Sequence, residues 1–238
     1  MFSRRSSSPL QDAGACADEI ALLRFIDDIT FETKLGDLGI LLSLSGIDPD
    51  CRTDEELNAF TRRYESAVRL FDDRFRLYSY IVKRSGAKPP YRESYPTDAA
   101  TAAVHRRINA LEARATSLFE IRLYLAVLYE GFRPQKTFLH SLERGTEEAA
   151  AQAERALEIL HGAVRSFRSL VDDLLQTKVL REREARLFLR NLVNYDPVQA
   201  AAFHCEAGGR IDLTTLDSQV EVYADHLRVN DFFVNPFR

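Results

Sequence analysis

Between Asp28 and Gly46 the sequence reads DITFETKLGDLGILLSLSG, and bulk falls on every second residue: Ile29, Phe31 and Thr33, then Leu38, Ile40, Leu42 and Leu44. A two-residue period is that of a strand with one buried face. Between the two runs, Leu35-Gly36-Asp37 provides a tight reversal, because glycine carries no Cβ penalty at positive φ. The stretch predicts a β-hairpin that founds the main sheet, so the rest of the chain has to supply its partner strands and the layer that covers it.

Downstream segments fit that demand. Thr53 and Glu56 have the spacing of a capping box, and from there Leu57, Phe60, Tyr64, Val68 and Phe71 form a helical stripe. Arg76 to Arg84, RLYSYIVKR, carries β-branched and aromatic residues on both faces, which reads as an interior strand. Pro89, Pro90 and Pro96 break the next segment into an exposed connection. A helix with the stripe Val104, Ile108, Leu111 and Ala115 follows, and then Ser117 to Tyr129 alternates as a strand. The order is β-β-α-β-α-β, an α+β class with a mixed or antiparallel sheet and covering helices.

The second half is helical. Glu147 and Glu148 suit the positive end of a helix dipole, and the stripe Ala153, Leu157, Leu160, Val164, Phe167, Val171 and Leu174 continues from them. A helix at about 181–193 follows, with Ala185, Phe188, Leu189 and Leu192 on one side, and the pair predicts a helical hairpin. A short helix near 198–203 precedes Gln219 to Val234, which reads as one or two C-terminal strands returning to a sheet. Three segments are expected: a disordered tail over 1–18, a sheet domain over 19–132, and helices with closing strands over 133–238, the last two packed as one unit.

Several function classes drop out. Net charge is −4 with acids and bases interspersed, which gives no basic field for nucleic acid. Hydrophobic residues make up 45%, enough for a core, yet no apolar run approaches the roughly 20 residues a membrane span needs. Asp12, Asp18 and Glu19 interrupt the start where a secretory signal would be apolar. Cys16, Cys51 and Cys205 are widely spaced, with no Cys-x-x-Cys, so neither a disulfide framework nor a zinc site is expected. There is no G-x-x-x-x-G-K-[ST] loop and no G-x-G-x-x-G, so no phosphate-cradling motif is present. No cofactor or metal is expected.

Two features carry chemistry. His204 beside Cys205, and His226 beside Asp225, motivate a small hydrolase or transferase reading, but neither has catalytic spacing. Asp72-Asp73 and Asp172-Asp173 point apart around helix ends and read as solvated carboxylates. The tyrosines Tyr78, Tyr80, Tyr91, Tyr95, Tyr124 and Tyr129 crowd the middle of the chain, where tyrosine serves either core packing or a contact surface. Tyr78, Tyr80, Tyr91 and Tyr95, with Leu41 of the hairpin, are the candidate interface residues.

Four blocks, FETKLGDLGILLSLSGIDPDCRTDEELNAFTRRYESAVRLFDDRFRLYSYIVKR, LFEIRLYLAVLYEGF, RLFLRNLVNYDP and SQVEVYADHLRVNDFFV, occur in an order that resembles the N-terminal region of the VirB/TrbE/CagE ATPases of type IV secretion systems. In that family the region precedes a RecA-like motor and mediates docking and assembly. The resemblance therefore implies a non-catalytic interaction and assembly module, with other secretion subunits, the ATPase itself or a second copy as partners. It implies a cytoplasmic location, peripheral at the inner membrane through those partners. The motor is expected to be absent here, so ATPase activity is not implied for this chain. A truncated remnant or orphan paralogue that no longer docks is the competing expectation.

Overall fold

A computed structural model describes residues 16–47, 52–85, 96–114, 118–131, 147–173, 175–203 and 209–235. The founding hairpin is formed by β2 (Thr30–Thr33) and β3 (Leu38–Leu44). It closes where Thr33 N donates to the Asp37 carbonyl at 2.9 Å and Asp37 N donates to Thr33 Oγ1 at 3.0 Å. Gly36 turns the corner at φ 87°, the left-handed conformation that glycine adopts without strain. Around the hairpin lie β1 (Leu22–Phe25), β4 (Phe75–Ser85), β5 (Phe119–Tyr129) and β6 (Thr177–Val179). The sheet order is β1-β2-β3-β5-β4, every pairing is antiparallel, and β6 also pairs with β3. The α+β class is as the sequence predicts, with the antiparallel form realised.

One face of this sheet presents Leu38, Ile40 and Leu42 of β3 with Leu125, Val127 and Tyr129 of β5. Two helices cover it: α2 (Asp54–Val68) and α4 (Glu147–Val171). Helix α2 starts at the expected capping box, with Thr53 Oγ1 accepting from Glu56 N at 3.3 Å and the Glu56 carboxylate accepting from Thr53 N at 2.9 Å. Helix α4 buries Ala153, Ala156, Leu160, Val164, Phe167 and Val171, a stripe at three- and four-residue steps. Phe167 meets Tyr64 at 6.3 Å and Phe71 at 5.5 Å between ring centroids, so it locks the two helices together. Burying a stripe of this size stabilises the layer by roughly 2 kcal/mol per large side chain.

The helices over 147–171 and 182–193 do not form the predicted hairpin. Strand β2 pairs only with the first half of β3, and β6 fills the vacant edge beside Leu42, Ser43 and Leu44. This strand lies in the plane of the sheet, so the chain passes from one face to the other between the two helices. Helix α5 (Glu182–Val193) therefore packs on the opposite face, where Ala185 and Phe188 meet Phe25, Phe31, Leu41 and Ala126. Each apolar stripe is satisfied by the sheet, which leaves the helices no surface to share.

Three other expectations change. The strand over 76–84, read as interior, is β4 at the edge of the sheet, with Tyr78 and Ile81 exposed on its two faces. The C-terminal strands are present as expected but number three rather than one or two: β7 (Val220–Val222), β8 (Leu227–Val229) and β9 (Phe232–Val234) make a sheet of their own. Of the expected tail, residues 1–15 lie outside the described residues, and Cys16 to Asp18 belong to a short helical turn, α1 (Cys16–Glu19). The remaining elements are α3 (Asp98–Glu112) between β4 and β5, and α6 (Pro197–Ala201) and α7 (Ile211–Thr214) after α5.

Candidate functional site

On the α5 side the sheet is not filled. Strand alternation puts Leu41 of β3, Tyr78 and Tyr80 of β4, and Ala126 and Leu128 of β5 on this face. Helix α5 crosses above them with Phe188 and Leu189, while β1 contributes Leu22 and Phe25 from the other side. Between these walls lies an open cavity of about 280 Å³, lined almost wholly by apolar and aromatic side chains. Leu41, Tyr78 and Tyr80, singled out from the sequence, thus lie along a single groove. Tyr91 and Tyr95 lie outside the described residues.

Aromatic packing shapes the groove. Phe188 takes Tyr80 edge-on at 5.4 Å and Tyr124 at 4.2 Å, and Phe25 meets Phe31 edge-on at 6.1 Å. Burial pushes the Tyr80 phenol above its ordinary pKa. Tyr78 is 46% exposed and opens the groove to solvent. Tyr129 is a different case: it is buried on the α2–α4 side against Phe75, which makes it a core residue.

Two buried arginines hold α5 over the groove. Arg186 donates to Glu182 at 3.0 Å, to Thr214 Oγ1 at 3.1 Å and to the Gly209 carbonyl, with its guanidinium 5.6 Å from the centre of the Phe25 ring. Arg190 is 1% exposed and donates to the carbonyls of Ala200 at 2.9 Å, Gln199 at 3.0 Å and Thr214, and to the Asp217 carboxylate. Asn194 completes the set by donating to the Thr215 carbonyl at 2.7 Å. Fully hydrogen-bonded buried cations of this kind fix an element in one position.

Chemically, the groove offers apolar contact and tyrosine hydroxyls. Among the described residues no charged side chain lines it. Among the described residues no three His, Cys, Asp or Glu side chains are grouped to hold a metal. His204 and Cys205 lie outside the described residues. His226 sits in the turn between β7 and β8, stacked on Tyr223 at 4.5 Å and bonded to the Asp225 carboxylate at 2.7 Å. The sequence reading missed the helical wall. Phe188 and Leu189 were visible as an apolar stripe, but assigning that stripe to a helix pair concealed its place over the sheet.

No helix among the described residues is long and apolar enough to cross a membrane. No curated protein matches the chain. Residues 30–136 match the family described as type IV secretion system ATPase VirB4/TrbE, N-terminal domain. The matched span runs from β2 through β5, so it includes Leu41, Tyr78 and Tyr80 but not α5. The resemblance read from the sequence is supported over residues 30–136, which are similar to the N-terminal domain of the type IV secretion system ATPase family VirB4/TrbE.

Proposed function

We propose that this chain is a non-catalytic protein–protein interaction and assembly module of a type IV secretion system, docking other secretion subunits or the ATPase through the groove between β4 and α5. The observation that carries this reading is the convergence of Leu41, Tyr78 and Tyr80 on an open cavity whose described lining is apolar and uncharged. Solvated apolar concavities are favoured binding sites, and tyrosine combines a large contact area with a polar tip. In this reading the segments over 19–132 and 133–238 act as one unit, because α5 supplies a wall of the groove. The chain works on the cytoplasmic side and reaches the inner membrane through its partners, and it assembles with itself only as part of the larger complex.

Co-purification of type IV secretion subunits with the full chain from its source cells tests the proposal. Leu189→Asp places a carboxylate in the groove and should abolish that co-purification while leaving the circular dichroism spectrum unchanged. Equal recovery of the subunits with the variant would remove the groove from the interface, and ATP hydrolysis that persists through repurification would overturn the non-catalytic assignment.

A further inference from the structure

The groove is bordered by β4, whose outer edge has the character of a docking strand. Antiparallel pairs alternate between hydrogen-bonded and non-bonded positions. Thr33 N donates to the Asp37 carbonyl at the hairpin end, which sets the phase for β2 and β3. Carried through the β2–β3, β3–β5 and β4–β5 registers, it puts Arg76, Tyr78, Tyr80, Val82 and Arg84 in bonded pairs with β5. The Glu130 N to Arg74 carbonyl bond at 2.7 Å has the same phase. The backbone groups of Leu77, Ser79, Ile81 and Lys83 therefore point away from the sheet, and no described strand pairs with them.

Sheets ordinarily blunt such an edge with a proline, a bulge, shortness, a covering element or charged side chains, and of these β4 has only the charges, which oppose a like strand and admit one of opposite charge. β4 has eleven residues, no proline or glycine, and an uninterrupted register with β5. The opposite edge is treated differently, since Arg24 of β1 bridges Arg210 and α7 packs against that strand. Ile81 is 73% exposed beside this edge, and Tyr78 opens the groove on the other face.

The charge pattern selects the occupant. β4 carries Arg76, Lys83 and Arg84 and no acidic residue. Arg76 is paired with Glu130, whereas Lys83 lies over the Phe119 ring at 4.0 Å, and neither Lys83 nor Arg84 is bonded to a carboxylate among the described residues. A second copy added antiparallel along the whole strand would set Arg76 opposite Arg84, and like charges at that position destabilise the pair. We infer that β4 accepts an extended segment of another protein, with alternating apolar and acidic side chains, as an added antiparallel strand. Main-chain bonds at Leu77, Ser79, Ile81 and Lys83 would give affinity. Because alternation puts Lys83 and Arg84 on opposite faces of β4, the acidic row of the segment would meet Lys83 on the Ile81 face for selectivity, and its apolar row would lie along the Tyr78 and Tyr80 face. This deepens the docking reading by naming the chemistry of the partner segment.

Amide hydrogen exchange on the full chain, with an alternating Glu–Val decapeptide as probe, tests it. In the free protein the amides of Leu77, Ser79, Ile81 and Lys83 should exchange fast, and those of Tyr78, Tyr80 and Val82 slowly. The peptide should slow the first set, while an alternating Lys–Val peptide should not. Ser79→Pro should abolish protection without unfolding the sheet, because its N–H makes no ladder bond. K83E with R84E, which leaves every β4 backbone donor in place, should weaken binding about tenfold at low salt. Protection of the first set in the free chain that is lost on dilution would mean self-pairing and would overturn the acidic occupant. Absence of protection at millimolar peptide would overturn the added strand. Leu189→Asp separates this outcome from failure of the groove, since it alters the groove and leaves the β4 edge intact.

Discussion

The Phe31 ring packs against Gly39, its cross-strand partner in the β2–β3 hairpin, so closely that a Cβ at position 39 would clash with the ring's Cζ and Cε2 atoms. Glycine here provides room for an aromatic ring, and that ring forms part of the groove wall. Gly39→Ala should push Phe31 toward the cavity at a cost of about 1–3 kcal/mol. Chemical denaturation measures the loss, and Phe31→Leu in the same chain should recover part of it. An unchanged midpoint for Gly39→Ala would show that the ring moves freely.

Arg190 anchors α5 through three carbonyls and Asp217. Arg190→Met keeps most of the volume and strands the carbonyl acceptors, for an expected loss of roughly 3 kcal/mol. Asp217→Asn should cost less than about 1 kcal/mol, because that carboxylate is 41% exposed and largely screened. Urea unfolding of the two variants should separate them in that order.

Asp212 gives an acid-limb prediction. Arg210 donates to its carboxylate at 3.0 and 2.6 Å, and Lys34 lies 3.2 Å away, so its pKa is held below the ordinary aspartate value, chiefly by the Arg210 hydrogen bonds. A depressed folded pKa adds stability that is complete above the unfolded value, about 3.9, and is lost as pH falls through the folded one. Asp212→Asn removes this contribution. The stability gap between native and variant should therefore hold at neutral pH and narrow on acidification below about pH 4. A gap that stays constant down to pH 2 would contradict the assignment.

Leu160 of α4 has no solvent-accessible surface and packs in the core with Leu42 and Val127. Leu160→Ala should cost about 2–5 kcal/mol. By the same logic, a fragment ending at residue 136, where the family match ends, lacks α4 and exposes the apolar face of β3 and β5. Such a fragment should bind a hydrophobic dye and lack a cooperative thermal transition, whereas the full chain should unfold in one step. Cooperative unfolding of the short fragment would show that the two segments are independent.

Local features were legible because their cause is local. The alternation from Ile29 to Leu44, the turn at Gly36 and the Thr53–Glu56 cap each depend on a few neighbouring residues, and all three are found where the sequence placed them. Periodicity also identified the apolar stripe of α5, including Phe188. It did not reveal which face of the sheet that stripe would meet, since an amphipathic pattern records that one side needs cover and not what provides it.

Leu41, Tyr78 and Tyr80 stood out in the sequence individually, but their common groove depends on β4 pairing with β5 and on β6 carrying the chain across the sheet. Those are contacts between residues far apart in the chain, with no local signature. The same holds for the reassignment of residues 76–84 from interior strand to edge: side-chain composition reported an apolar strand, and only the tertiary pairing left one row of its backbone donors and acceptors open. The sequence by itself determined the hairpin, the helix start and the apolar stripes, through short-range sterics and hydrogen bonding. The tertiary structure decided which surfaces were consumed in the core and which remained for a partner.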